Sequence, residues 1–534
     1  MTGLLDENDV VQFRNIPFAT IPARFKRSVL LTHFLDTDRN FTKRGYASPQ
    51  AIPTVPDLFS GGPYPNESST FQYSETECLN LQINVPISLL QSTHSKVPLL
   101  VYVHGGGFVL GKIDAQHSTH LMVSQSVSDN QPVIGANIQY RLGALGYLHT
   151  STADSNIAMH DQRNALLWIQ TFAGGFGGDV GRVTVFGESA GAMSICYHMM
   201  APAPSTGPLF QRAVLMSGVV GPMTAPMPVK EAEKLCDEFM DSLGIKEKSE
   251  AGLEWLRILD VQEIVDKSSK LTEQGTMWIP TQDEEWFGKE AGDVTWDRGL
   301  ELIGKCEWVD AILLGTTGFE GTTLLAAVAG LTPKSFVKGV ADQLGEQSAN
   351  LLKKAYKLSD SMDQNLFLTR AMEWIGDVVF STPAHALCRH VSTSTNANKK
   401  IYRYIFDARN PFPGSPCYQH PHHWVDIYYV FKTFQFRYPH QRLKDLSTRH
   451  AQLWIDFTNG KSPWSEYRYD EGGNATFMIA DEREGWIQRS AKQDENLCGR
   501  DWARCELLWE SWKGMQGKWF QPLKIEPMRK SKVV

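Results

Sequence analysis

The pentapeptide Gly187-Glu188-Ser189-Ala190-Gly191 constrains this chain more than any other stretch. Before it runs Val183-Thr184-Val185-Phe186, short and rich in β-branched residues, as a buried parallel strand is. After it, residues 192–200 have the length and the small-to-large apolar mixture of a helix packed on a sheet. A strand that turns into a helix over one serine leaves no room for neighbouring side chains, so glycines stand two residues to either side. The hydroxyl is then exposed at a helix N-terminus, where the Ala190 amide lacks an intrahelical partner and can bind an oxyanion. A bare Gly-x-Ser-x-Gly pattern also fits a plain glycine-flanked helix start. The strand before it and the helix after it favour a nucleophile.

A second glycine cluster, His104-Gly105-Gly106-Gly107-Phe108, follows the apolar run 97–103. Without side chains, successive amides can turn towards one point and approach an anion closely. Alone this is a glycine turn. Paired with the downstream serine it supplies the second half of an oxyanion hole, because acyl transfer needs amides from two loops around one oxygen.

Strands are expected over 78–85, 97–103, 133–138, 183–186, 213–218, 311–315 and 401–406, with a helix over 159–171. The alternation implies an α/β fold: a central, mostly parallel sheet with helices on both faces and ligands at the carboxyl ends of its strands. Prolines make 10–27 an extended segment lying across a surface. Residues 44–76, rich in Pro, Gly, Ser and Tyr, read as a long ordered loop bordering a binding site. Helix-like insertions over about 230–300 and 333–395 form a lid or pocket wall. No linker marks a boundary, so residues 1–534 are expected to be one domain. The aromatic residues Trp278, Trp286 and Phe287 are open to two readings, pocket lining or core.

Lys plus Arg (52) against Asp plus Glu (59) leaves a formal charge of −7, which argues against a nucleic-acid partner. The acidic start, Met1 to Asp9, lacks a signal-peptide core, and no apolar run is long enough to span a bilayer. A cytoplasmic location is expected, in which the sequons at Asn40, Asn66 and Asn474 have no glycosylation role. The eight cysteines show no Cys-x-x-Cys spacing, against a zinc site or a disulfide framework. A Cys498–Cys505 bridge is the one alternative kept open.

The chain resembles the type-B carboxylesterases, the carboxylesterase and cholinesterase family of the α/β-hydrolase fold. The resemblance is carried in order by segments 13–25, 77–81, 104–108, 140–143, 161–163, 176–179, 187–192, 210–218 and 454–463. It implies a Ser-His-Glu triad. Glu320, in Gly315-Thr316-Thr317-Gly318-Phe319-Glu320-Gly321, matches the family's acid, and His423, in His423-Trp424-Val425-Asp426, matches its base. His420 and His422 compete for the second role and otherwise belong to a solvated loop. Oxyanion donors match Gly106, Gly107 and Ala190; Glu188 and Ser217 are buttresses or ordinary packed polar groups.

The expected function is serine-dependent hydrolysis of a small to medium carboxylic ester through an acyl-enzyme, with no metal or organic cofactor. Acyl transfer, lactone hydrolysis or cyclisation would use the same acyl-enzyme, and a non-catalytic binding protein is the rival from another class. Composition leaves the oligomeric state open. Three departures from the family pattern stand out: the leading hairpin and export signal are missing, Cys78 has no preceding cysteine, and Trp424 stands where a small residue is usual.

Overall fold

A computed structural model describes residues 1–33, 39–51, 72–91, 96–150, 153–394 and 399–513. Among the described residues, eleven strands form one sheet. In chain order they are β1 (Leu4–Leu5), β2 (Val10–Pro17), β3 (Asn80–Pro86), β4 (Val97–Val103), β5 (Ile134–Ile138), β6 (Gly178–Glu188), β7 (Arg212–Met216), β8 (Ala311–Thr317), β9 (Lys400–Phe406), β10 (Thr476–Asp481) and β11 (Gly485–Ser490). Their order across the sheet is β1-β2-β3-β5-β4-β6-β7-β8-β9-β10-β11. The pairs from β5 through β10 are parallel, and the outer pairs are antiparallel.

The central strands are apolar along their length because both faces are covered. Every residue of β4 and β8 is buried. One face packs against α1 (Ile157–Phe172) and α2 (Ala190–Met200), and the other against an aromatic-rich layer that includes Phe431, Trp454 and Phe457. Register brings the carboxyl ends into line: Val103 lies opposite Gly187, Glu188 opposite Met216, and Thr317 opposite Phe406. The loops leaving β4, β6, β7 and β8 therefore start at one edge of the sheet.

Two expectations at the N-terminus need correction. Residues 10–17 are not draped over a surface but form β2, inside the sheet, because Pro17 comes only at the strand's end. A leading hairpin is present: β1 pairs antiparallel with Val11 and Gln12. Its turn is closed by Asp6, whose Oδ1 accepts from the amides of Asn8 (2.9 Å) and Val10 (3.1 Å), a local bond that two-residue strand patterning does not reveal.

The first insertion folds into helices at Val229–Ser242, Glu250–Ile258, Val261–Glu273, Glu284–Phe287 and Trp296–Lys305. The second contributes Pro333–Leu344, Glu346–Ala355, α3 (Gln364–Gly376), one π-helical turn (Asp377–Ser381) and α4 (Thr382–Thr393). Trp278, Trp286 and Phe287 are core residues, at most 3% exposed. Trp286 is held by the Tyr197 carbonyl (3.3 Å) and by the Arg163 guanidinium stacked over its ring. Much of the 44–76 loop, residues 52–71, lies outside the described residues, as does the sequon at Asn66.

All eight cysteines are free thiols, so Cys498 and Cys505 are not joined. Without a disulfide, the turn around Cys78 is held by polar bonds. Arg24 grips Glu75 with two nitrogens (2.8 and 2.9 Å), and Asn80 Nδ2 donates to the carbonyls of Tyr46 and Glu77. Among the described residues no single helix is long and apolar enough to cross a membrane.

After β5, Arg141 enters the core and meets Asp161 of α1 through two bonds of 2.7 Å, while its remaining arm donates to the Lys26 carbonyl. Both side chains are almost wholly buried. Removing one partner strands a buried charge, so Asp161→Ala is expected to cost about 3–5 kcal/mol of unfolding free energy, read from the midpoint of urea denaturation.

Candidate functional site

Ser189 joins β6 to α2 with φ 55° and ψ −123°, a conformation that costs a non-glycine residue on the order of 1–3 kcal/mol and must be held by its surroundings. Three glycines make room for it. A Cβ on Gly187 would lie 2.6 Å from the Gly191 carbonyl carbon, one on Gly191 2.1 Å from the Val103 oxygen, and one on Gly218 2.2 Å from the Ser189 oxygen. The Ser189 amide donates to the Met216 carbonyl at 2.9 Å, pinning the turn to β7. The side chain is half-buried, and among the described residues its hydroxyl makes no hydrogen bond.

The loop after β4 is contorted. Gly106, Gly107 and Phe108 have φ of 112°, 61° and 64° in succession, and Gly107 is exposed. The Gly106 carbonyl accepts from the amides of Val109 and Leu110, and among the described residues the amides of Gly106 and Gly107 donate to no other group. The loop is anchored at its root, where Tyr140 donates its hydroxyl to the His104 carbonyl at 2.6 Å and stacks on the His104 ring, centroids 4.3 Å apart. Burial pushes His104 down to about 4, so it is a neutral prop. Because Gly191 rests against Val103 and His104, the first turn of α2 is seated on this loop.

Glu320 follows β8 in a tight turn. Its Oε1 accepts from the Thr317 amide (2.6 Å) and the Ser217 hydroxyl (2.7 Å), and its Oε2 lies 2.6 Å from His423 Nδ1. The segment that carries His423 is laced to that turn, with the Phe319 amide donating to the Pro421 carbonyl and the Gly318 amide to Phe406, each at 2.9 Å. Phe380, from the π-helical turn, covers the imidazole at 4.3 Å between centroids.

The other ring nitrogen, Nε2, is 3.0 Å from Glu188 Oε1, the carboxylate beside the serine. Glu188 is completely buried, and burial pushes its carboxyl up against the opposing pull of His423. Burial also works against a charge on His423, but Glu188 and Glu320 outweigh it and drive the imidazole pKa up. A third carboxyl, Asp426, accepts from the Tyr404 hydroxyl (3.2 Å) and is pushed up to about 7 by burial and by Glu320.

The three candidate histidines have different surroundings. His420 is exposed. His422 is buried with Nε2 3.2 Å from Asn410 Nδ2 and Nδ1 against the His423 carbonyl, and burial pushes it down to about 4. Among the described residues, His423 alone of the three contacts carboxylates. Trp424 has φ 82°, a left-handed conformation that glycine adopts at least cost, and its ring stands edge-on to His117 at 5.4 Å. The roles of the buried Phe380 ring and of the Thr317 amide have no signal in the sequence, the first lying in an insertion without a motif and the second being a backbone group within the Glu320 segment.

A family model for the carboxylesterase family matches residues 2–496. The chain belongs to the carboxylesterase family. Among curated relatives it is 26% identical to Lipase 3 of Yarrowia lipolytica, with 86% of each chain covered. It is 27% identical to Carboxylesterase 1E of Rattus norvegicus, covering 87% of this chain and 85% of that one. Para-nitrobenzyl esterase of Bacillus subtilis is 26% identical over 86% of this chain and 88% of the relative. In fold the carboxylesterase-family chain is similar to a solved PNB esterase, with a TM-score of 0.71 and 24% identity, covering 92% of this chain and 96% of that one. The sheet and its flanking helices are those of an α/β hydrolase.

The glycine contacts lead to a direct test. Gly191→Ala forces the new methyl onto the Val103 carbonyl and is expected to lose about 1–3 kcal/mol. Gly174→Ala, with nothing within 4 Å of its Cβ, is expected to stay within about 0.5 kcal/mol of the parent, both variants being read by thermal melts.

Proposed function

We propose that this carboxylesterase-family chain hydrolyses small to medium carboxylic esters through an acyl-enzyme on Ser189, with His423 as base and Glu320 as the acid that orients it. The observation that carries this reading is the buried 2.6 Å contact between His423 Nδ1 and Glu320 Oε2, with the opposite edge of the ring turned to the residue adjoining Ser189.

A serine hydroxyl is a weak nucleophile, and proton removal must accompany attack. In this reading His423 Nε2 takes that proton while Oγ adds to the ester carbonyl. The carbonyl oxygen becomes an oxyanion and is received by the amides of Gly106, Gly107 and Ala190, which require no reorganisation as charge develops. His423 then gives its proton to the leaving alkoxide, and the alcohol departs. Water enters, loses a proton to the same nitrogen and adds to the acyl carbon, and collapse of the second oxyanion returns Ser189 and the free acid. Glu320 keeps Nδ1–H in place and stabilises the ring while it is charged. Ser217 and the Thr317 amide hold the other oxygen of that carboxylate, so it cannot swing away.

Turnover of a short p-nitrophenyl ester tests these roles. Ser189→Ala is expected to reduce kcat at least about a thousandfold and to abolish labelling by an organophosphonate. His423→Ala should match it, whereas His422→Ala should remain within about tenfold of the parent; the reverse order would remove His423 from the mechanism. Ser217→Ala deletes one hydrogen bond to a charged carboxylate. It is expected to lower kcat/KM by about ten- to a hundredfold with the melting temperature little changed.

A further inference from the structure

The turn that carries Glu320 is bonded to Thr317, Ser217 and His423, yet it also borders open space. A cavity of about 430 Å³ runs along residues 317–321, and Asp377, Asp407, Arg500 and Arg504 are among the residues that wall it. A turn beside such a cavity needs fixed neighbours, because displacing a group that serves the reaction by about 1 Å can cost about a hundredfold in rate.

Two glycines mark where the neighbours press. A Cβ on Gly318 would lie 2.2 Å from Asp407 Oδ1 and 2.9 Å from the Pro421 ring, so the Asp407 carboxylate is seated directly on the turn, two residues before Glu320. Asp407 follows β9 and is gripped by Arg500, whose Nη1 and Nη2 donate to its two oxygens at 3.0 and 2.9 Å. Arg500 is itself tethered, since its Nε donates at 2.7 Å to Asp494, a fully buried carboxylate. On the other flank, a Cβ on Gly321 would lie 1.9 Å from the Met372 carbonyl oxygen, so α3 rests on the residue just after Glu320. Arg504 ties that helix and the turn after it to the C-terminal segment: Nη1 donates to Glu373 at 3.3 Å, and Nε stands 3.4 Å from Asp377.

We propose that Arg500, acting through Asp407, is a positioning residue for Glu320, with Arg504 bracing the opposite flank of the same turn through α3. The inference rests on the reading of Glu320 as the acid that orients His423. Both arginines lie past residue 496, where the carboxylesterase-family match ends, so the brace comes from a part of the chain that the family pattern does not describe. A two-pronged guanidinium fixes a carboxylate in direction as well as distance, which the point charge of an ammonium does not. With Asp407 held, the Gly318 backbone has no room to shift towards it. Phe319, whose amide donates to the Pro421 carbonyl at 2.9 Å, then keeps the His423 segment in step with the turn, and the 2.6 Å contact between Glu320 and His423 is preserved.

The test compares kcat and KM for a p-nitrophenyl ester in the full chain, in Asp407→Ala, in Glu320→Gln and in the double variant. Asp407→Ala removes the carboxylate from Gly318 and leaves Arg500 its bond to Asp494. It is expected to lower kcat by about tenfold or more with KM within about twofold, as a misplaced acid would. In the Glu320→Gln background the same substitution is expected to change kcat by less than about twofold, because residues that act through one another are not additive. An unchanged kcat in the parent background, or an equal loss in both backgrounds, overturns the proposal. Should Asp407→Ala fail to fold, Arg500→Lys takes its place in the same four-way comparison, with the charge kept and the two-pronged hold lost. Glu320→Gln alone separates the two claims. If it turns over the ester as the parent does, the reading of Glu320 as the acid fails; if it is impaired and Asp407→Ala is not, only the brace does.

Discussion

With a hydrogen where other residues carry a side chain, Gly191 lets the first turn of α2 rest on the carbonyls of Val103 and His104. The rest of the site depends on that approach. It brings the N-terminus of α2 against the start of the glycine loop that follows β4. It also forces Ser189 into a left-handed turn that β7 then holds through the Met216 carbonyl. The conformational cost at Ser189 is met by packing on three sides, and that over-determination keeps the hydroxyl presented when no ligand is there to hold it.

Around this turn the sheet's parallel register does the positioning. Strand ends that line up deliver Glu188, Ser217 and the Glu320 turn to one edge without any of them being near the others in the chain. The cluster they form is electrostatically unusual, with Glu188, Glu320 and Asp426 all buried around a single imidazole. Burial disfavours each negative charge, and Glu188 and Glu320 together favour a proton on His423. Such a group is sensitive to the gain or loss of one proton. Hydrogen bonds from Ser217, Thr317 and Tyr404 divide the carboxyls between fixed and adjustable ones.

Much of the sheet was legible because buried parallel strands need continuous apolar, β-branched runs, and those at 183–186, 311–315 and 401–406 all lie within strands. Where that chemistry was weak, reading failed. Strand β1 has two residues, too few for a period, and the hairpin of β10 and β11 alternates in residues that serve equally in a loop. The terminal helices Ala491–Cys498 and Ala503–Lys513 went unread for the same reason, their apolar residues being spread among charges. Composition could not assign Trp286 to core or pocket, because an indole suits both. The decision came from Arg163 and the Tyr197 carbonyl, which enclose it.

By itself the sequence determined the local geometry: glycines at 187 and 191 permit one sharp strand-to-helix turn, and Gly106 and Gly107 permit a loop of exposed amides. These follow from backbone sterics, which act between neighbours in the chain. Only the tertiary structure decided which of His420, His422 and His423 meets carboxylates, that Glu188 turns inward to the imidazole, and that Trp424 takes a left-handed backbone. Those outcomes depend on distances between segments far apart in sequence, and electrostatic and packing energies that vary over an ångström are set by the fold as a whole.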